Sequence, residues 1–167
     1  MEIAKLNEQR GEFVFRNAIG LLIGAMLLSV GLSIFSVYHI INGVREKTNE
    51  SVLAVASVNV AEFYGGARES DGFARHYFRD QVTCFIDTED VMTTLASAVN
   101  ATYFTDTSIT VGTSYKLTDI STRFVNYSGG YLNFETTLTV TVPLDLGNVN
   151  VPISKRITVR SSYDAKF

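Results

Sequence analysis

The sequence predicts an α+β chain in which a long N-terminal transmembrane helix leads into a small extracytoplasmic domain with an antiparallel β-meander. Three observations carry that prediction. No charged side chain lies between Arg16 and Arg45. The C-terminal third alternates apolar and polar residues with period two, as in LNFETTLTVTV at 132–142, the pattern of a sheet with one covered and one wet face. Between them, Asp87-Thr88-Glu89-Asp90 places acids just ahead of a periodic run, as a helix N-terminus favours.

Residues 1–17 form a short polar N-terminus that carries Lys5, Arg10 and Arg16. Residues 18–41 are the transmembrane segment. As a helix they measure about 36 Å at about 1.5 Å per residue, against a bilayer core of about 30 Å. A cleaved secretory signal has a shorter apolar region, about 7–15 residues, and small residues at its cut site. This run ends instead in Tyr38-His39-Ile40-Ile41-Asn42-Gly43. The residues before the span are too few to fold, whereas the remainder can. The expected orientation is a cytoplasmic N-terminus with the C-terminal domain outside, in a single-pass protein of the cell membrane. Within the run, Gly20 and Gly24 form a GxxxG pair and Gly31 follows on the same stripe. Ala18, Ala25, Ser29, Ser33 and Ser36 make a second small face roughly opposite. Small residues let membrane helices approach closely, so Gly20, Gly24 and Gly31 are the candidate helix–helix association residues.

Residues 42–66 are read as an extension of the helix. Val52, Val55, Ala56, Val60 and Phe63 fit a helical stripe, although valines also suit a strand. The helical reading makes one rod from about Phe13 to Tyr64, ended by Gly65-Gly66. Residues 67–167 form the extracytoplasmic head. It opens with an aromatic cluster at Phe73, His76, Tyr77 and Phe78, and a short strand is expected over Gln81–Ile86. A helix runs from the acidic cap through Asn100, and an antiparallel sheet covers about 115–163. On one face lie Leu132, Phe134, Thr136, Leu138, Val140 and Val142. On the other lie Asn133, Glu135, Thr137, Thr139 and Thr141. Ile120, Thr122 and Phe124 continue the pattern before Ser128-Gly129-Gly130. Val149, Val151, Ile153, Ile157 and Val159 continue it after Leu146-Gly147-Asn148, with Lys155 as the exception.

Little points to chemistry. Net charge is −3, and without a clustered basic face nucleic acid is not an expected partner. Cys84 is the only cysteine, which excludes an intrachain disulfide and a CxxC metal site. His39 marks the end of the apolar run, and His76 is read as a surface or packing residue. Asp87, Glu89 and Asp90 resemble a ligand cluster but stand where a helix N-terminus wants acids. No HExxH, GxSxG, phosphate-loop or EF-hand spacing occurs. The expectation is a protein that is not an enzyme, with no catalytic residues, cofactor or metal.

Two stretches at the chain's ends resemble a known family. Arg10-Gly11-Glu12-Phe13 precedes the apolar helix. TLTVTVPLDLGNVNVPISKRITVRSSYDAKF (137–167) supplies a Thr/Val-rich strand, a Pro-containing turn and a last strand. Together they resemble the TadE-like minor pilins of tight-adherence systems, within the wider class of pilins and pseudopilins. The resemblance covers both ends of the chain and does not extend to 67–113. It implies a pilin-like fold and a structural subunit of a surface pilus, or of a related secretion or adhesion apparatus. Its implied partners are other pilin-like subunits, or copies of itself, met through the membrane helix. Prepilins of this type are cut after a Gly that leaves Glu fifth in the mature chain. A cut after Gly11 places Arg16 there instead, and a cut that places Glu12 fifth falls after Asn7, which is not Gly; this departure from the family pattern leaves processing open, with Glu12 as the residue that could compensate charge in assembly. From another class, a membrane-anchored extracytoplasmic binding or sensing domain of a larger complex fits the same layout.

Overall fold

A computed structural model describes the backbone of residues 2–69, 86–128, 130–145 and 150–164, and the side chains of 13–60, 86–128, 130–144 and 151–164. Helix α1 spans Glu2–Glu69 and helix α2 spans Thr88–Ala98. Five strands follow: β1 (Tyr103–Thr105), β2 (Ser108–Val111), β3 (Tyr115–Ser128), β4 (Tyr131–Asp145) and β5 (Asn150–Asp164). The chain divides into two compact units, Met1–His39 and Ile40–Phe167, and α1 contributes to both.

The layout is α+β, as expected, and α1 exceeds the expected helix at both ends. Its start reaches Glu2, because Glu2, Ala4, Leu6, Glu8 and Arg10 are good helix formers and no proline interrupts them. It also runs through Gly65-Gly66 to Glu69. A glycine costs an established helix only about 1 kcal/mol, too little to stop one that is already propagating. The same cooperativity explains why the valines of 52–60 are helical: the nucleation cost is met upstream, and each further residue adds one bond. The aromatic cluster at 73–78, the short strand over 81–86 apart from Ile86, and Cys84 lie outside the described residues. So do the 146–148 turn and the side chains of Glu12, Phe63 and Val149.

In the first unit, large apolar side chains stand exposed around the helix, among them Phe15, Leu21, Leu27 and Phe35. Ser33 satisfies its hydroxyl locally, donating to the Ser29 carbonyl at 3.0 Å, so it adds no unpaired polar group to this apolar surface.

In the second unit, α1 buries a stripe of Ile41, Val44, Thr48, Ser51, Val52, Val55, Ala56 and Val60. The two polar members fit because each hydroxyl bonds back one turn: Thr48 to the Val44 carbonyl and Ser51 to the Lys47 carbonyl, both at 2.7 Å. Val52, Val55, Ala56 and Val60 cluster with Val91 of α2 and with Leu132 and Phe134 of β4. Phe134 and Phe124 meet edge to face at 5.9 Å. The core is therefore the cleft between two helices and one sheet face.

Helix α2 is bounded by its own sequence. Asp87 is the N-cap, its carboxylate accepting from the Glu89 amide at 3.1 Å. At the other end Asn100 takes φ +52°. Asn100 N–H donates to the Ser97 carbonyl and Ala101 N–H to the Ala96 carbonyl, which is a Schellman closure. The helix thus stops at Ala98, with Asn100 as its left-handed terminator rather than its last turn.

The sheet is an all-antiparallel meander in the order β1-β2-β3-β4-β5, and it begins at Tyr103, earlier than the pattern predicted. Leu132, Phe134, Thr136, Leu138, Val140 and Val142 are all buried, as their alternation requires. Their opposites, Asn133 to Thr141, are half-buried. Between β3 and β4 the register shifts at Thr118/Ser121. Asp119 takes φ +53° there, a conformation that Asp tolerates better than most residues. This bulge lets both Leu117 and Thr122 face inward, although they stand an odd number of positions apart in sequence. Ser128 pairs with Tyr131 across Gly129-Gly130, and Gly130 takes φ +88°, as tight hairpins demand.

Beyond the end of β2, the outer edge of β3 is covered by α2. Thr88 Oγ1 accepts from Thr122 N–H at 3.2 Å and donates to the Thr122 carbonyl at 3.4 Å. β5 is the other edge. There Lys155 pairs with Val140 on the covered-face side yet stays exposed.

Candidate functional site

Two surfaces stand out among the described residues: a groove along the apolar half of α1 and the outer face of the sheet. The groove is lined by Arg16, Gly20, Gly24, Ser29, Ser33 and Ser36, with Leu21, Leu28 and Leu32 as its apolar walls. It follows two neighbouring rows of residues spaced by four, 16-20-24-28-32-36 and 17-21-25-29-33. Rows of this spacing are inclined to the helix axis. The groove therefore winds from the glycine pair onto the serine side, joining two small faces that a straight projection places opposite each other. The same inclination carries it away from Gly31, which is not among its lining residues.

A Cβ placed on Gly20, Gly24 or Gly31 would meet no atom within 4 Å. No contact among the described residues requires these glycines, although each costs the helix about 1 kcal/mol relative to alanine. Glu12 lies within α1, and its side chain is outside the described residues. Between Phe13 and Val60 the helix is long and apolar enough to cross a membrane, with a mean hydropathy of 2.3 in its most apolar part.

The outer sheet face is polar and cross-linked. Glu135 accepts from Arg123 at 2.6 Å and from Arg160 at 3.5 Å. The Arg123 hydrogen bond holds its carboxyl below the usual range. Ser162 donates to Asn133 at 2.7 Å, and Asn133 to Asn126 at 2.8 Å. Thr141 and Ser154 share a bond of 2.8 Å. Lys116 and Arg156 complete the face, pairing with Thr141 and Thr139. Its basic character was missed in the sequence. The outward spacing of Arg156 and Arg160 within an alternating strand was the available signal.

A recess of 190 Å³ lies among Thr110, Tyr115, Lys116, Thr141, Pro143 and Pro152. Burial there pushes the Tyr115 phenol up. The recess is smaller than the roughly 300 Å³ from which small-molecule sites begin. Among the described residues no group of three or more His, Cys, Asp or Glu side chains gathers where a metal could be held. Asp87 is occupied as the α2 cap, and His76 and Cys84 lie outside the described residues. Compared with protein-family profiles, curated proteins and solved structures, the chain matches none of them.

Proposed function

We propose that this chain is a non-enzymatic, single-span structural subunit that assembles with other subunits of its kind, or with copies of itself, through its membrane helix. The N-terminus would be cytoplasmic and the head extracytoplasmic. The observation that carries this reading is the groove through Gly20 and Gly24 on an otherwise exposed apolar helix. Exposed leucine and phenylalanine on every side call for a lipid or protein cover. Lipid alone gives no reason for the small residues along this groove, whereas a second helix does, since close backbone approach is what holds helices together in lipid. The inclination of the groove suits a partner crossing right-handedly at about −40°. The head, an α+β unit built on the continuation of the same helix, agrees with the TadE-like, pilin-like resemblance. On that resemblance the assembly is a surface pilus or a related secretion or adhesion apparatus.

Replacing Gly24 by Leu puts a branched side chain into the groove. The Gly24→Leu variant is expected to reach the membrane normally and to be lost from the assembled complex. The measurement is the fraction of full-length chain recovered with sheared surface filaments or with the detergent-extracted complex, together with mass spectrometry of its N-terminus. Recovery equal to that of the unaltered chain overturns the proposal and favours an anchored binding or sensing domain.

A further inference from the structure

We propose that the two flanks of the head form a charge-complementary contact with a second copy of this chain, the basic β5 edge of one head meeting the acidic α2 flank of the next. The inference rests on the reading of the chain as an assembling subunit. β5 carries Lys155, Arg156 and Arg160, all exposed, with Asp164 at its end. The Arg160 side chain is 84% exposed even though it reaches toward Glu135. The opposite flank carries Asp87, Glu89 and Asp90, all exposed, and α2 contains no basic residue. Asp106, in the turn between β1 and β2, is also exposed.

The two flanks also lie on one line across the strands. Arg160 pairs with Glu135 and Glu135 with Arg123 across three strands. Arg123 follows Thr122, whose backbone is held by Thr88, the residue between Asp87 and Glu89. A line drawn across the sheet from the basic edge thus ends at the acidic turn. Capping and the helix dipole account for an acid at Asp87 and favour acids at Glu89 and Asp90. They do not account for three cations on the edge strand at the other side of the same sheet. A contact between unlike patches is heterologous, so it propagates into a ring or an open array instead of stopping at a dimer. Exposed ion pairs are individually weak and screened beyond about 8 Å at physiological salt. Anchoring in one membrane raises the effective concentration and makes weak contacts sufficient.

The test uses the full chain, labelled at its N-terminus with donor or acceptor fluorophores and reconstituted in phosphatidylcholine vesicles, with self-association read as energy transfer at low and high salt. Arg156→Glu/Arg160→Glu makes both flanks acidic, and Glu89→Lys/Asp90→Lys makes both basic. Each variant alone is expected to associate about tenfold more weakly than the unaltered chain at low salt. An equal mixture of the two is expected to regain association, because acidic and basic flanks again alternate, and that recovery also shows that both variants are folded. The proposal is overturned if either variant alone associates like the unaltered chain, if the mixture stays dissociated, or if the unaltered chain does not associate with itself. Where Gly24→Leu abolishes transfer and the charge variants do not, helix-driven assembly stands and the flank contact falls.

Discussion

Thr136 has no exposed surface, yet it occupies the middle of an otherwise apolar row on β4. Its hydroxyl is tolerated because Thr122, also buried, lies opposite on β3 and the two share a hydrogen bond of 3.0 Å. Burying one hydroxyl without a partner costs about 1–3 kcal/mol, whereas removing both partners can be nearly neutral. Thr136→Val should therefore destabilise the head by that amount, through the Thr122 hydroxyl left behind. Adding Thr122→Val should recover most of the loss. Denaturant unfolding of the two single variants and the double variant, treated as a thermodynamic cycle, checks this. A double variant that loses the sum of the two single losses would show that the hydroxyls matter for something other than each other.

At the scale of elements, Lys155 gives the clearest lesson about edges. Period two assigns it to the covered side of β5, opposite Val140, where an apolar residue is expected. Among the described residues β5 is a long strand paired on one side only, and natural sheets block such edges with lysine, proline and inward-pointing charge. Pro152 and Lys155 supply these near one end of β5. Lys155→Val should leave the fold intact and promote edge-to-edge pairing. Light scattering of the purified full chain in detergent, at high salt where flank charges are screened, is expected to show concentration-dependent oligomers for the variant. Lys155→Arg and the unaltered chain should show no oligomers beyond those that the membrane helix itself drives.

What could be read from sequence follows the range of the interaction. The α2 cap, the β3–β4 turn and the alternation of β4 are decided within a few residues, and each was legible. The bond between Thr88 and Thr122 joins positions far apart in the chain and has no local signature. The Asp119 bulge likewise shows only once β3 has a partner strand to slip against. β1 and β2 are short, and their pattern of Tyr103-Phe104-Thr105 and Ser108-Ile109-Thr110-Val111 gives too few alternations to stand out. In the apolar helix the small residues were legible. Their union into one groove was not, because it depends on the inclination of rows spaced by four and not on the straight stripe.

At the scale of the whole molecule, the division at His39/Ile40 separates a segment whose apolar side chains face outward from one whose apolar side chains face a core. The second unit draws four of the seven residues of its main cluster from α1: Val52, Val55, Ala56 and Val60 against Val91, Leu132 and Phe134. Each buried valine is worth about 1.5–3 kcal/mol, against a stability of about 5–15 kcal/mol for a whole domain. The three valines thus supply an amount of the same order as the net stability. A fragment of residues 40–167 should therefore be soluble without detergent and melt in one cooperative transition followed by circular dichroism. A fragment of residues 61–167 keeps the entire sheet and α2 but leaves Leu132 and Phe134 uncovered. It should bind a hydrophobic dye and show no cooperative melt. Cooperative melting of the shorter fragment at an unchanged temperature would mean that the helix is a stalk carrying an independent head. Loss of folding places α1 inside the head's core, so that force or displacement along the helix would act directly on the sheet.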